Sequence, residues 1–125
     1  MNIPSNLKYT KSDEWFDPST GAVGISDFAQ SQLSDIVFVE LLVEEGEEVS
    51  AGKAIASVES VKASAEIYSP VAGKVSAVNK ELSDKPETLN SDPFGEGWMI
   101  KIEGGSAGDM MDSAAYEKDC EGRAH

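Results

Sequence analysis

Hydrophobic positions along this chain come in short clusters, two to eight residues long, separated by runs rich in Gly, Pro, Ser and acidic residues. Leu7-Lys8-Tyr9-Thr10 and Glu14-Trp15-Phe16 have the aromatic and β-branched content of strands. Asp17-Pro18-Ser19-Thr20-Gly21 predicts a tight reversal, because proline fixes φ and glycine supplies a positive φ, and Ala22-Val23-Gly24-Ile25 is the returning strand. Ser26 and Asp27 are both good helix N-caps, and Gln30 follows Asp27 by three residues as in a capping box. One short helix over residues 28–34 is predicted, near 27–34 overall. The β-branched run Ile36 to Val43 predicts a buried strand, and the four acids around Gly46 a solvated turn.

From Val49 to Val78 small apolar pieces are punctuated by Gly52, Pro70 and Gly73. That spacing predicts short strands joined by tight turns. Gly52 lies ten residues before Lys62 and Gly73 eleven after it, so the two flanks are near mirror images with the lysine at a hairpin tip. Residues 81–97 hold two prolines, two glycines and few apolar groups, which predicts a long surface loop. Trp98 to Ile102 closes the sheet, and Gly104 to Gly108 is a flexible joint. Met110, Met111, Ala114 and Ala115 then recur at helical spacing, with Asp109 as a cap, predicting a helix over about 109–120 whose end frays. The expectation is a mainly β chain folded as a flattened sandwich of two antiparallel sheets. It forms a single domain spanning 1–125, with a core over about 7–103.

Composition narrows the chemistry by what it withholds. The 125 residues include one cysteine, Cys120, and one histidine, the terminal His125. No intramolecular disulfide, multi-cysteine zinc cluster or internal Ser/His/Asp constellation is available, and no metal site is expected. Acids outnumber bases 23 to 10, for a formal charge of −13. Nucleic acid and anionic membrane surfaces are therefore poor partners. No apolar run approaches the ~20 residues of a membrane span, and the start lacks the pattern of a signal peptide. Trp15 and Trp98 are expected to pack, and Cys120 to lie beyond the packed part of the last helix without chemistry.

A lysine at an exposed tip between small residues, as in Glu59-Ser60-Val61-Lys62-Ala63-Ser64, is open to an acyl-transferring enzyme from every side. That stretch, followed by Ser69-Pro70-Val71-Ala72-Gly73, resembles the lipoyl attachment hairpin of the glycine cleavage system H-protein family. The resemblance extends through Tyr9-Thr10-Lys11, Glu14-Trp15, Val23-Gly24-Ile25, Ala29-Gln30, the Ile36 to Leu41 strand, Asp92 to Trp98 and Ala115-Tyr116. It covers roughly residues 7 to 118.

The resemblance implies a lipoyl/biotinyl-type flattened barrel-sandwich and a non-catalytic, monomeric carrier. Lipoic acid is joined as an amide to Lys62. A pyridoxal-phosphate glycine decarboxylase (P protein) loads the aminomethyl group left after CO2 departs, and an aminomethyltransferase (T protein) passes the carbon to tetrahydrofolate. Dihydrolipoyl dehydrogenase (L protein) then reoxidises the dithiol. Lipoate-attaching enzymes are expected to read Glu59, Ala63 and Gly73, while Ser12, Glu14 and Glu66 match the polar positions of a cleft that receives the loaded arm. No catalytic residue is implied, because the cofactor carries the redox chemistry.

Three positions depart from the pattern. Asp13 replaces the usual histidine of a His-Glu-Trp motif, which places an acid either toward the arm's amine or toward solvent. The turn after Leu41 lacks a customary proline and is one residue longer. Glu66 stands where an aspartate is usual. The alternative within the resemblance is an H-like lipoyl relay, or a lipoyl-dependent redox or signalling partner, outside glycine cleavage. Other lipoyl and biotin carriers fit less well, since the former usually show Asp-Lys-Ala at the tip and the latter methionines beside the lysine. The family works in the bacterial cytoplasm or the mitochondrial matrix, and a start at Met1 fits either the first or a mature form of the second.

Overall fold

A computed structural model describes residues 2–105 and 110–123. Nine strands and four helices follow one another as β1 (Lys8–Tyr9), β2 (Glu14–Phe16), β3 (Ala22–Ile25), α1 (Asp27–Leu33), β4 (Ile36–Leu41), β5 (Glu48–Val49), β6 (Ala54–Ser60), β7 (Ser64–Tyr68), β8 (Gly73–Val78), α2 (Glu81–Asp84), α3 (Thr88–Ser91), β9 (Ile100–Glu103) and α4 (Ser113–Arg123). They build a six-stranded sheet, β1-β2-β3-β9-β8-β5, and a three-stranded sheet, β4-β6-β7, antiparallel throughout. The inward rows of both sheets meet in one apolar layer. Val39, Val58 and Ile67 come from the smaller sheet, and Val23, Val75, Ile100 and Ile102 from the larger.

Several boundaries depart from the sequence expectation for identifiable reasons. Ile36 to Leu41 is only half buried. Ile36 and Val39 face the core, whereas Val37 and Phe38 are 54% and 47% exposed. β4 is an edge strand with a bulge between Ile36 and Phe38, and among the described residues its outer face is left partly exposed at Val37 and Phe38. Residues 81–97 are not a plain surface loop. α2 and α3 are single helical turns, and they bury Leu82 and Leu89, seven residues apart, under the sandwich edge.

α1 begins at Asp27 with Ser26 as its cap, the Ser26 hydroxyl accepting from Ala29 N–H at 3.2 Å. The Gln30 side chain donates to Asp27 Oδ1 instead of closing a capping box. Gly52 and Gly73 occupy mirrored places but act differently. Gly52 turns the chain at φ +90 in open space, while Gly73 has no room for a Cβ beside β9.

The last helix starts at Ser113, not near 109. Met111 instead bridges Tyr9 in the sheet direction, and Asp112 Oδ1 accepts from Ala115 N–H at 2.8 Å. The cap expected at Asp109, the joint over 106–108 and His125 lie outside the described residues. α4 packs through Tyr116, stacked on Tyr9 with ring centroids 4.6 Å apart, and through Cys120, which is fully buried. Cys120 therefore belongs to the packed helix, and the helix holds structure past it to Arg123 because that arginine is anchored.

Candidate functional site: a lysine hairpin and a polar turn

Strands β6 and β7 form a hairpin in the smaller sheet, and Lys62 sits at its exposed three-residue tip. No left-handed residue is needed there, because the Ser60 side chain closes the turn. Its hydroxyl accepts from Lys62 N–H at 3.2 Å and Ala63 N–H at 2.9 Å and donates to Ala63 O at 3.0 Å. Val61 N–H donates to Asp35 O at 3.0 Å, tying the tip to the start of β4. Sequence reasoning passed over Ser60, though a serine two residues before the apex is a turn-closing signal. The result is a backbone fixed on both sides of a lysine with no ion-pair partner among the described residues.

Glu59 faces outward beside the tip, opposite Phe38 on β4 and Ser64 on β7. One row further, Glu40, Ser57 and Glu66 stand side by side. The outer face of the small sheet thus carries three acids, Glu40, Glu59 and Glu66, in alternating register with the inward row of buried Val39 and Val58 and half-buried Ala65. Ala63 is exposed at the tip, and Gly73 lies past the far end of β7.

Glu14 is the unusual acid. Only 2% exposed, it receives the hydroxyls of Thr10 and Ser12 on Oε1, each at 2.6 Å. Among the described residues Oε2 has only the Tyr68 N–H at 3.4 Å, a long contact that joins β2 to the end of β7. Burial raises the Glu14 carboxyl above the usual range, partly opposed by these hydrogen bonds. The structure thus brings Ser12 and Glu14 together. Glu66 shares no hydrogen bond with them and projects from β7 two residues before Tyr68.

Asp13 resolves the two options left by the sequence in favour of neither. It points to the C-terminal helix. Oδ1 accepts from Arg123 Nη2 at 2.6 Å and from the Tyr116 hydroxyl at 2.9 Å. The Ser26 hydroxyl, already accepting from Ala29 N–H, donates in turn to Tyr116, so a directional chain runs Ser26 to Tyr116 to Asp13. Trp15, beneath, donates its indole N–H to Pro93 O at 3.0 Å, while half-buried Trp98 lies under the Lys101 ammonium.

A two-sheet sandwich that holds a bare lysine on a rigid hairpin is the architecture of a swinging-arm carrier. The sequence profile described as Glycine cleavage H-protein matches residues 7–122. The glycine cleavage system H proteins of Deinococcus deserti and Deinococcus radiodurans are each 51% identical to this chain. The first alignment covers 94% of this chain and 97% of the relative, and the second 91% and 93%. The crystal structure of a glycine cleavage system H protein from Mycobacterium marinum superposes with a TM-score of 0.85 at 35% identity, covering 93% of this chain and 97% of that one.

The chain belongs to the glycine cleavage H-protein family, whose members are non-catalytic, lipoate-bearing carriers of the glycine cleavage system. The fold is the family's lipoyl-type barrel-sandwich, with two further one-turn helices in place of the predicted loop. Among the described residues no helix is long and apolar enough to cross a membrane.

Proposed function

We propose that Lys62 Nζ carries the lipoyl group as an amide. In this role the protein passes an aminomethyl unit from glycine decarboxylase to aminomethyltransferase before dihydrolipoyl dehydrogenase restores the disulfide. The observation that carries the proposal is the hairpin tip. An exposed lysine with no ion-pair partner among the described residues, between two small or apolar neighbours and on a backbone pinned by Ser60 and Asp35, suits both attachment and presentation. When bound, the lipoyl group would supply the disulfide that is reduced as it takes up the cargo, one sulfur bonding the aminomethyl carbon and the other becoming a thiol.

The chain's own residues supply position and recognition. Glu59 and Ala63, exposed beside the lysine, are the contacts offered to a lipoate-attaching enzyme, and Gly73, which opens β8 after the hairpin, lets that strand lie close against β9. Ser12 and Glu14 form the seat for the arm's amine. Oε1 is committed to two hydroxyls, so Oε2 is the atom left to accept from an ammonium, and that cation would favour the charged carboxylate that burial disfavours. Glu66 adds negative potential from the neighbouring strand.

Acylation removes one positive charge, changing 10 − 23 = −13 to 9 − 23 = −14. Partners are then drawn through basic surfaces, and association with the decarboxylase weakens as salt rises. The deciding experiment is intact-mass measurement after expression with lipoate and a lipoate ligase. One lipoyl adduct that disappears in Lys62→Arg is expected. An unmodified wild-type mass, or an adduct surviving Lys62→Arg, refutes the assignment. A lipoylated protein that failed to support glycine–bicarbonate exchange with the decarboxylase would point to the relay function instead.

A further inference from the structure

The end of α4 grips the turn that carries Ser12 and Glu14. Arg123 takes Asp13 in a two-pronged hold, Nη2 to Oδ1 at 2.6 Å and Nη1 to Oδ2 at 3.2 Å, and Nη1 also donates to Lys11 O at 3.4 Å. The guanidinium is itself fixed. Asp119, one turn back on α4, lies 3.0 Å from Nη2, and the Phe28 ring of α1 lies 4.8 Å from its central carbon.

Asp13 occupies the left-handed region at φ 73, uncommon for any residue with a side chain. Its N–H donates to Thr10 O at 3.2 Å and its carbonyl accepts from Ser26 N–H at 2.9 Å. Glu14 follows directly, and its own N–H donates to Thr10 Oγ1 at 3.0 Å, the same hydroxyl that bonds its carboxylate. Rotation of Asp13 out of its conformation therefore carries Glu14 and Ser12 with it.

We propose that Arg123 is a positioning residue for the amine-receiving carboxylate: through Asp13 it holds the Thr10–Glu14 turn in the form that sets Ser12 and Glu14 against each other. This rests on the assignment of Glu14 as the amine's seat. The contribution is geometric more than energetic, because the pair is partly exposed, at 36% and 17% for the two side chains, and surface pairs stabilise weakly. Lysine in its place would keep the charge and lose the fork that fixes both carboxylate oxygens.

The full-length apo protein provides the first test, by amide hydrogen exchange with thermal unfolding as a control. Arg123→Ala should speed exchange at Glu14 and Ser26 by about fivefold or more with a small change in Tm, and Arg123→Lys should fall between it and wild type. Faster exchange confined to the last turn of α4 overturns the proposal. The second test is loss of the aminomethyl cargo to water from the loaded, lipoylated protein. Arg123→Ala should lose it severalfold faster than wild type, and Glu14→Gln at least as fast. Fast loss in Glu14→Gln with wild-type retention in Arg123→Ala refutes the clamp and leaves the Glu14 assignment standing. Wild-type retention in Glu14→Gln removes the assignment and the clamp together.

Discussion

Gly73→Ala separates two roles that a glycine near a modified lysine can have. Gly73 opens β8 opposite Val49, and a Cβ built there would lie 2.5 Å from Ile102 Cγ2 and closer still to the Glu103 carbonyl oxygen. Its φ is ordinary, so the obstacle is contact and not backbone conformation. Ordinary contacts begin above 3 Å, and the backbone oxygen of a central strand cannot swing aside as a side chain would, so β8 and β9 must separate locally. Overpacking of this kind costs about 1–3 kcal/mol. At about 4 °C per kcal/mol for a chain of this length, Tm should fall by roughly 4–12 °C.

Lys62 stands at the tip that precedes β7, a five-residue strand roughly 16 Å long, whereas Gly73 lies past the far end of that strand and opens β8 in the other sheet. The hairpin tip, closed by Ser60, should survive the change. Thermal unfolding by circular dichroism and initial lipoylation rates at a temperature well below the variant's Tm test this directly. The expected result is a lowered Tm with a lipoylation rate within twofold of wild type. An unchanged Tm would refute the steric argument. A normal Tm with lost lipoylation would show that attaching enzymes read Gly73 itself.

Other consequences follow from burial and charge. Glu14 has a raised folded pKa, so its contribution to stability is fully present below its unfolded value and is lost as pH rises through the folded one. Glu14→Gln should therefore be more stable relative to wild type at pH 7 than at pH 4, by urea unfolding; the opposite trend would contradict the burial effect. Leu89→Ala should cost about 2–5 kcal/mol, whereas Phe38→Ser, on the open face of β4, should change stability by less than about 0.5 kcal/mol. Burial pushes the Cys120 thiol up, so native protein should react with a thiol reagent only slowly and at a rate that rises with urea. Rapid native labelling would place Cys120 at the surface.

The hairpin was legible in the sequence because everything it needs is local. Small residues around Lys62 and glycines at mirrored distances point to a tip without reference to the rest of the chain, and Ser60, which the sequence reading passed over, closes it by local hydrogen bonds. The strand and turn pattern through residue 25 and the cap at Ser26 follow from the same short-range chemistry. Residues 81–97 read as a loop since their prolines and acids outweigh two leucines locally, and only the sandwich edge supplies the apolar surface on which Leu82 and Leu89 close.

The polar site divides along the same line. That Ser12 and Glu14 can meet follows from a spacing of two. That Glu14 is buried, with one carboxylate oxygen nearly free, depends on β7 lying beside β2, from the other sheet. Asp13 gave no indication in the sequence of pairing with Arg123, since 110 residues separate them and the pattern predicted a frayed end. The sequence alone determined where the lysine would stand, because a hairpin is closed by its own residues. Only the tertiary structure decided what surrounds the carboxylate and what holds its turn, because those partners come from a second sheet and the last helix, and burial is a property of the assembled layers.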